Sequence, residues 1–153
     1  TIEIDASFVG FVDTARALGI KVQVVSDGLD YAIRHVLARQ GLGHLEVIAN
    51  RLVRTGERSW RLESPWASAR CQRASGNCKC ERLAEQQQVH GRVLYVGDST
   101  SDFCVAHKAD FVLAKYKLIA HCEAHGIAYA RFDTFAQASV LLEKIALGAE
   151  VLA

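Results

Sequence analysis

Two carboxylates, Asp98 and Asp102, follow an apolar run in RVLYVGDSTSDFCVAHKAD (92–110), and this is the most informative stretch of the chain. Val93, Leu94, Tyr95 and Val96 read as a buried parallel strand that stops at Gly97. Open α/β sheets gather ligands at the carboxyl ends of such strands. A hard cation such as Mg2+ takes oxygen ligands and keeps several waters, so one or two carboxylates beside a substrate phosphate make a sufficient site. Asp98 and Asp102 suit that task. The competing reading is that Asp98 only caps a helix beginning near Ser99 or Thr100.

A second segment, KVQVVSDGLDYAIRHVL (21–37), repeats the pattern. Val22, Val24 and Val25 run into Ser26, Asp27 and Gly28, and an amphipathic helix follows. Backbone N–H groups at such turns and helix N-termini attract phosphate. A third element, Lys79 in GNCKCERLAEQ, stands just ahead of an expected helix from Cys80 to Val89. It offers a compact positive charge for phosphate oxygens, although taken singly it also fits a solvated surface lysine.

A hydroxyl after one strand, then a lysine, then paired acids in VGDSTSD: this order resembles motifs II, III and IV of the haloacid dehalogenase-like (HAD) hydrolase superfamily. The closest likeness is to its phosphoserine phosphatase-like branch, with Phe8 to Leu37 and Ile48 to Leu52 extending it over nearly the whole chain. The resemblance implies a Rossmann-like α/β core with a parallel sheet, and hydrolysis of a phosphomonoester through an aspartyl-phosphate with Mg2+ as cofactor. It makes Ser26, with Asp27 and Gly28, the phosphate-binding turn and Lys79 the group that neutralises transition-state charge. Ser26 and Lys79 are thereby the catalytic candidates, and Asp98 and Asp102 the metal ligands. The implied partner is a small phosphorylated metabolite.

One departure matters more than any match. The family's chemistry begins with an Asp-x-Asp motif that supplies the nucleophile, and no such motif occurs here; Glu3-Ile4-Asp5 is a superficial echo ahead of a helix. In the family fold the strand bearing that nucleophile lies between those ending here at Ser26 and Asp98. The core is therefore expected to lack its central strand and first cap, leaving backbone groups without ladder partners, which is costly. Three explanations follow: an excerpt of a longer protein, a strand lent by a partner chain, or a gap closed by new pairing. The excerpt is preferred, with the nucleophile upstream and the isolated chain inactive. An exposed sheet edge would also favour pairing with another copy as a homo-oligomer. The alternative from another class is a catalytically degenerate HAD-like domain with a binding role. A receiver-like domain fits less well, because its acidic pair belongs at an early strand.

The bulk properties agree with a globular domain. The 153 residues suffice for one domain, half are hydrophobic and the formal net charge is +1, so neither disorder nor attraction to nucleic acid is indicated. The sequence has no apolar run of membrane-spanning length, so no membrane association is expected and a cytoplasmic location is the default. The five cysteines (Cys71, Cys78, Cys80, Cys104, Cys122) are odd in number, against a disulfide framework. Cys71, Cys78 and Cys80 lack the usual zinc spacing. Cys104 and Cys122 fall on apolar helix faces as small core residues.

Periodicity predicts a helix over 6–18, a strand over 22–25, a helix over 29–39 and a strand over 45–49. A hairpin of 50–54 with 59–62 follows, then an irregular loop from 64 to 76 whose Arg70 and Arg73 read as solvated. Beyond Asp98 come a helix over 101–108, a strand over 111–113, a helix over 115–125, a strand over 128–132 and a helix over 134–146 capped by Asp133-Thr134. Such alternation is the pattern of a Rossmann-like parallel sheet. His35, His44 and His90 show no ligand spacing.

Overall fold

A computed structural model describes residues 3–70 and 76–148. The fold is α/β, and its contacts divide it into two compact units, 1–4 with 22–79 and 5–21 with 80–153.

In the first unit, β1 (Gln23–Leu29) leads into α2 (Asp30–Arg39), which crosses over to β2 (Glu46–Arg54), parallel to β1. Val24 and Val25 supply the β-branched run, and α2 lays its apolar side on both strands. Gly41, at φ 73°, closes the helix in the left-handed conformation that glycine adopts without penalty, and Leu42 N–H returns to the Leu37 carbonyl at 2.9 Å. Leu37, Leu42, Leu45, Val47, Ile48 and Ala49 form the core. β2 is longer than expected: the strand predicted over 45–49 and the first arm of the hairpin are one continuous strand. Its second half pairs antiparallel with β3 (Trp60–Glu63), matching Leu52 to Leu62 and Arg54 to Trp60 on one exposed face.

β1 also runs further than the expected strand over 22–25. Its register holds from Gln23 to Val25 against Glu46 to Ile48, then slips, and Leu29 next meets Asn50. Ser26, Asp27 and Gly28 therefore form a bulge in the strand, a device that re-aims side chains and loosens the ladder. Pattern reading cannot see a bulge, because the extra residues look like a turn.

The second unit carries a parallel sheet in the order β4 (Leu94–Gly97), β5 (Phe111–Ala114), β6 (Ala130–Arg131). A 3-10 turn (Thr100–Asp102) and the short α4 (Phe103–Ala106) stand where one helix to residue 108 was expected. α5 (Lys117–His125) links β5 to β6, and Val112, Ala114, Leu118, Cys122 and Tyr129 pack around them. Burial pushes the Cys122 thiol pKa up, as suits a small core residue, whereas Cys104 is half-buried. α3 (Lys79–His90) begins at the unit boundary.

α1 (Phe8–Ala17) packs against α6 (Phe135–Ala146), with the Phe8 and Phe11 rings edge-on to Phe135 at centroid distances of 4.8 and 5.2 Å. The segment ahead of α1 caps α6. Phe135 N–H donates to Asp5 Oδ2 at 3.0 Å, Ala136 N–H to Ser7 Oγ at 3.0 Å, and Gln137 N–H to Thr134 Oγ1 at 3.4 Å. The expected Thr134 cap is thus present, and Asp5 serves a helix end. Cys71 and Arg73 lie outside the described residues.

Candidate functional site

The predicted site residues fall into two groups, one in each unit. In the first, the Ser26 hydroxyl accepts the Gly28 N–H at 3.0 Å, closing the bulge on itself. Asp27 and Gly28 are exposed, and Ser26 is half-buried. Asn77 ties this turn to the segment leading into Lys79. Its backbone N–H donates to Asp27 Oδ1 at 3.0 Å, and its side-chain amide donates to the carbonyls of Ser26 (3.0 Å) and Ile48 (2.9 Å). Asn77 is 0 % exposed. A second amide, Asn50 Nδ2, donates to the Asp27 carbonyl at 2.7 Å.

Two asparagines therefore replace the ladder bonds that the bulge gives up, and they bring Ser26, Asp27 and the start of α3 together. Lys79 is the first residue of α3, two positions after Asn77, and is half-buried. Neither asparagine carried a pattern that pointed to it, because a hydrogen bond to a carbonyl about 50 residues away has no local spacing.

In the second unit, the two acids sit in different surroundings. Asp102 is 3 % exposed. Its Oδ2 accepts the N–H groups of Asp98 (2.9 Å) and Ser99 (3.1 Å), and its Oδ1 accepts the Tyr95 hydroxyl at 2.6 Å. Gly97 permits this approach: a Cβ there would meet Asp102 Cγ and Oδ2 at 2.7 Å. Ser99, not Asp98, occupies the N-cap position of the 3-10 turn, so the capping reading of Asp98 does not hold.

Asp98 stands exposed just past the carboxyl end of β4. Its backbone is fixed on both sides, by the N–H bond to Asp102 and by its carbonyl, which accepts the Leu118 N–H at 3.3 Å. Among the described residues no three His, Cys, Asp or Glu side chains cluster as a complete metal centre. A single well-placed, exposed carboxylate nevertheless fits a hydrated Mg2+, which needs only one or two protein carboxylates. Asp102, with both oxygens engaged, fits the work of holding the Asp98 loop.

The loop after β5 meets the same place. Lys115 N–H donates to the Gly97 carbonyl at 3.0 Å, and Tyr116 is exposed with a positive φ of 49°. Neither was singled out from sequence; a lysine and a tyrosine after a strand are too common to signal anything alone.

A family model described as haloacid dehalogenase-like hydrolase matches residues 3–107. The chain is also similar to curated proteins named 2-hydroxy-3-keto-5-methylthiopentenyl-1-phosphate phosphatase. That of Exiguobacterium sp. strain AT1b is 31% identical over 149 residues, 95% of this chain and 67% of the relative. That of Exiguobacterium sibiricum is 35% identical over 122 residues, 79% of this chain and 55% of the relative. That of Geobacillus kaustophilus is 33% identical over 137 residues, 88% and 61% respectively. The chain thus spans 55% to 67% of the length of these relatives.

Proposed function

Because the chain belongs to the haloacid dehalogenase-like hydrolase family, we propose that it is the core part of a Mg2+-dependent phosphatase acting on a small phosphorylated metabolite. The observation that carries this reading is Asp98, an exposed carboxylate at the carboxyl end of a parallel strand whose loop is fixed by the buried Asp102. The names of the relatives support a phosphomonoester with a short unsaturated carbon chain as the substrate class.

In this reading the Ser26 hydroxyl donates a hydrogen bond to a phosphoryl oxygen while its oxygen goes on accepting the Gly28 N–H. Lys79 places an ammonium where negative charge gathers as phosphorus is attacked. Asp98 holds the cation, and Asp102 keeps Asp98 in place through the backbone. When bound, Mg2+ supplies positive charge against the phosphoryl oxygens. Such fixed charges are the main protein contribution to phosphoryl transfer. The nucleophilic aspartate comes from a segment upstream of this sequence. Support for that comes from β1 and β4, each of which has one parallel strand partner among the described residues.

The test is binding rather than turnover. Phosphate added to the 153-residue chain should bind in a Mg2+-dependent manner by 31P NMR, and Asp98→Asn should abolish the dependence. The chain alone should hydrolyse no p-nitrophenyl phosphate. Phosphate binding that ignores both Mg2+ and the Asp98 substitution would sink the proposal.

A further inference from the structure

Tyr116 is the one residue other than glycine with a positive φ among the described residues, at φ 49° and ψ −125°. It occupies the second position of a four-residue turn, Lys115 to Leu118, closed by the Leu118 N–H on the Lys115 carbonyl at 3.2 Å. That conformation belongs to the first central position of a type II′ turn, where glycine predominates because a Cβ is crowded there.

The turn cannot relax, for three reasons. Lys115 N–H is held by the Gly97 carbonyl at 3.0 Å, Leu118 N–H by the Asp98 carbonyl at 3.3 Å, and the Leu118 side chain is fully buried in the core. The loop is thus laced to two successive carbonyls, those of Gly97 and Asp98.

What this arrangement presents is an aromatic ring, 68 % exposed, with the Lys115 ammonium 4.7 Å from its centroid. An exposed ring adds little to the fold, and glycine would fill the turn without strain. Backbone strain of this kind persists where the surroundings over-determine it, and it clusters at ligand sites. The place is also the carboxyl end of a parallel sheet, one strand over from Asp98, where such sheets bind ligands.

We propose that Tyr116, with Lys115 behind it, walls the substrate site on the side of the ester's organic portion. It would select phosphomonoesters whose carbon skeleton is flat and apolar over phosphorylated polyols. This rests on the phosphatase reading above and adds to it the residue that chooses the alcohol.

The experiment measures binding of phenyl phosphate, glycerol phosphate and inorganic phosphate to the chain with Mg2+ by calorimetry. The unsubstituted protein should favour phenyl over glycerol phosphate by about three- to tenfold, the worth of one aromatic contact. Tyr116→Ala should bring that ratio close to one, and Tyr116→Phe should keep it. Tyr116→Gly should unfold in urea at or above the unsubstituted midpoint. A ratio that survives in Tyr116→Ala, or a lower midpoint in Tyr116→Gly, overturns the inference and leaves the phosphatase reading standing. Failure of all three ligands to bind overturns both.

Discussion

Replacing Asp102 by alanine removes the acceptor for two backbone N–H groups and for the Tyr95 hydroxyl at once. A hydrogen bond to a charged group contributes about 1.5–3 kcal/mol, and a donor left unsatisfied costs about 1–3 kcal/mol. Water can reach part of this loop, so the two backbone losses together come to roughly 3 kcal/mol and the hydroxyl adds about 1. The sum, about 4 kcal/mol, is a large share of the ~5–15 kcal/mol that holds a domain together. With a urea slope near ~2 kcal/mol per molar, the midpoint should fall by about 2 M.

Tyr95→Phe, which deletes only the hydroxyl, should cost roughly 1–1.5 kcal/mol. The assay is urea unfolding followed by far-UV circular dichroism. Tryptophan fluorescence is the control, because both tryptophans, Trp60 and Trp66, lie in the first unit and Asp102 in the second. Gly97→Ala should act through the same contacts by pushing Asp102 away. The double variant should therefore lose at least ~1 kcal/mol less than the sum of the singles. An Asp102→Ala midpoint unchanged by dichroism, or strict additivity with Gly97→Ala, would refute the view that this carboxylate holds the Asp98 loop.

Lys79→Ala should leave the far-UV dichroism spectrum unchanged, and in a protein supplied with the proposed nucleophile strand it should abolish phosphatase turnover. Asn77→Ala should destabilise the first unit by about 2–3 kcal/mol, read by tryptophan fluorescence, because two carbonyls lose a buried donor. Asp5 carries a pKa held below its ordinary value of 3.8, chiefly by the Ser7 hydroxyl and then by the Phe135 N–H, with burial opposing. Its contribution is therefore complete above 3.8 and is lost as the pH falls through the depressed native value. Asp5→Asn should unfold more readily than the unsubstituted chain at neutral pH, and the gap should close in acid; a gap independent of pH would contradict the capping role.

The α/β class and the strand-to-turn-to-helix units were legible because apolar runs and caps are local signals. Val93 to Val96 and Val22 to Val25 each led to a strand, and Thr134 to a helix start. What escaped was non-local. The bulge at Ser26 to Gly28 exists because Asn77 and Asn50 bond its carbonyls from distant positions, and sequence spacing records no such partner. The helix expected through Lys108 stops at Ala106, and its first turn is 3-10 because Asp102 turns back onto the strand end. Asp98 and Asp102 looked alike as letters. Only burial and donor geometry separate an acid that faces outward from one that braces it.

Among the described residues β4 pairs with a strand on one side only, which has a consequence that can be timed. Val93 and Gly97 turn their carbonyls toward β5, where they accept from Phe111 and Lys115 at 3.4 and 3.0 Å. Along a strand, the N–H and carbonyl of one residue point to the same side, so Tyr95 shares that orientation while Leu94 and Val96 turn theirs to the opposite margin. Deuterium uptake in β4 should accordingly alternate, slow at Tyr95 and Gly97 and fast at Leu94 and Val96, a two-residue rhythm that a strand inserted along that margin would silence.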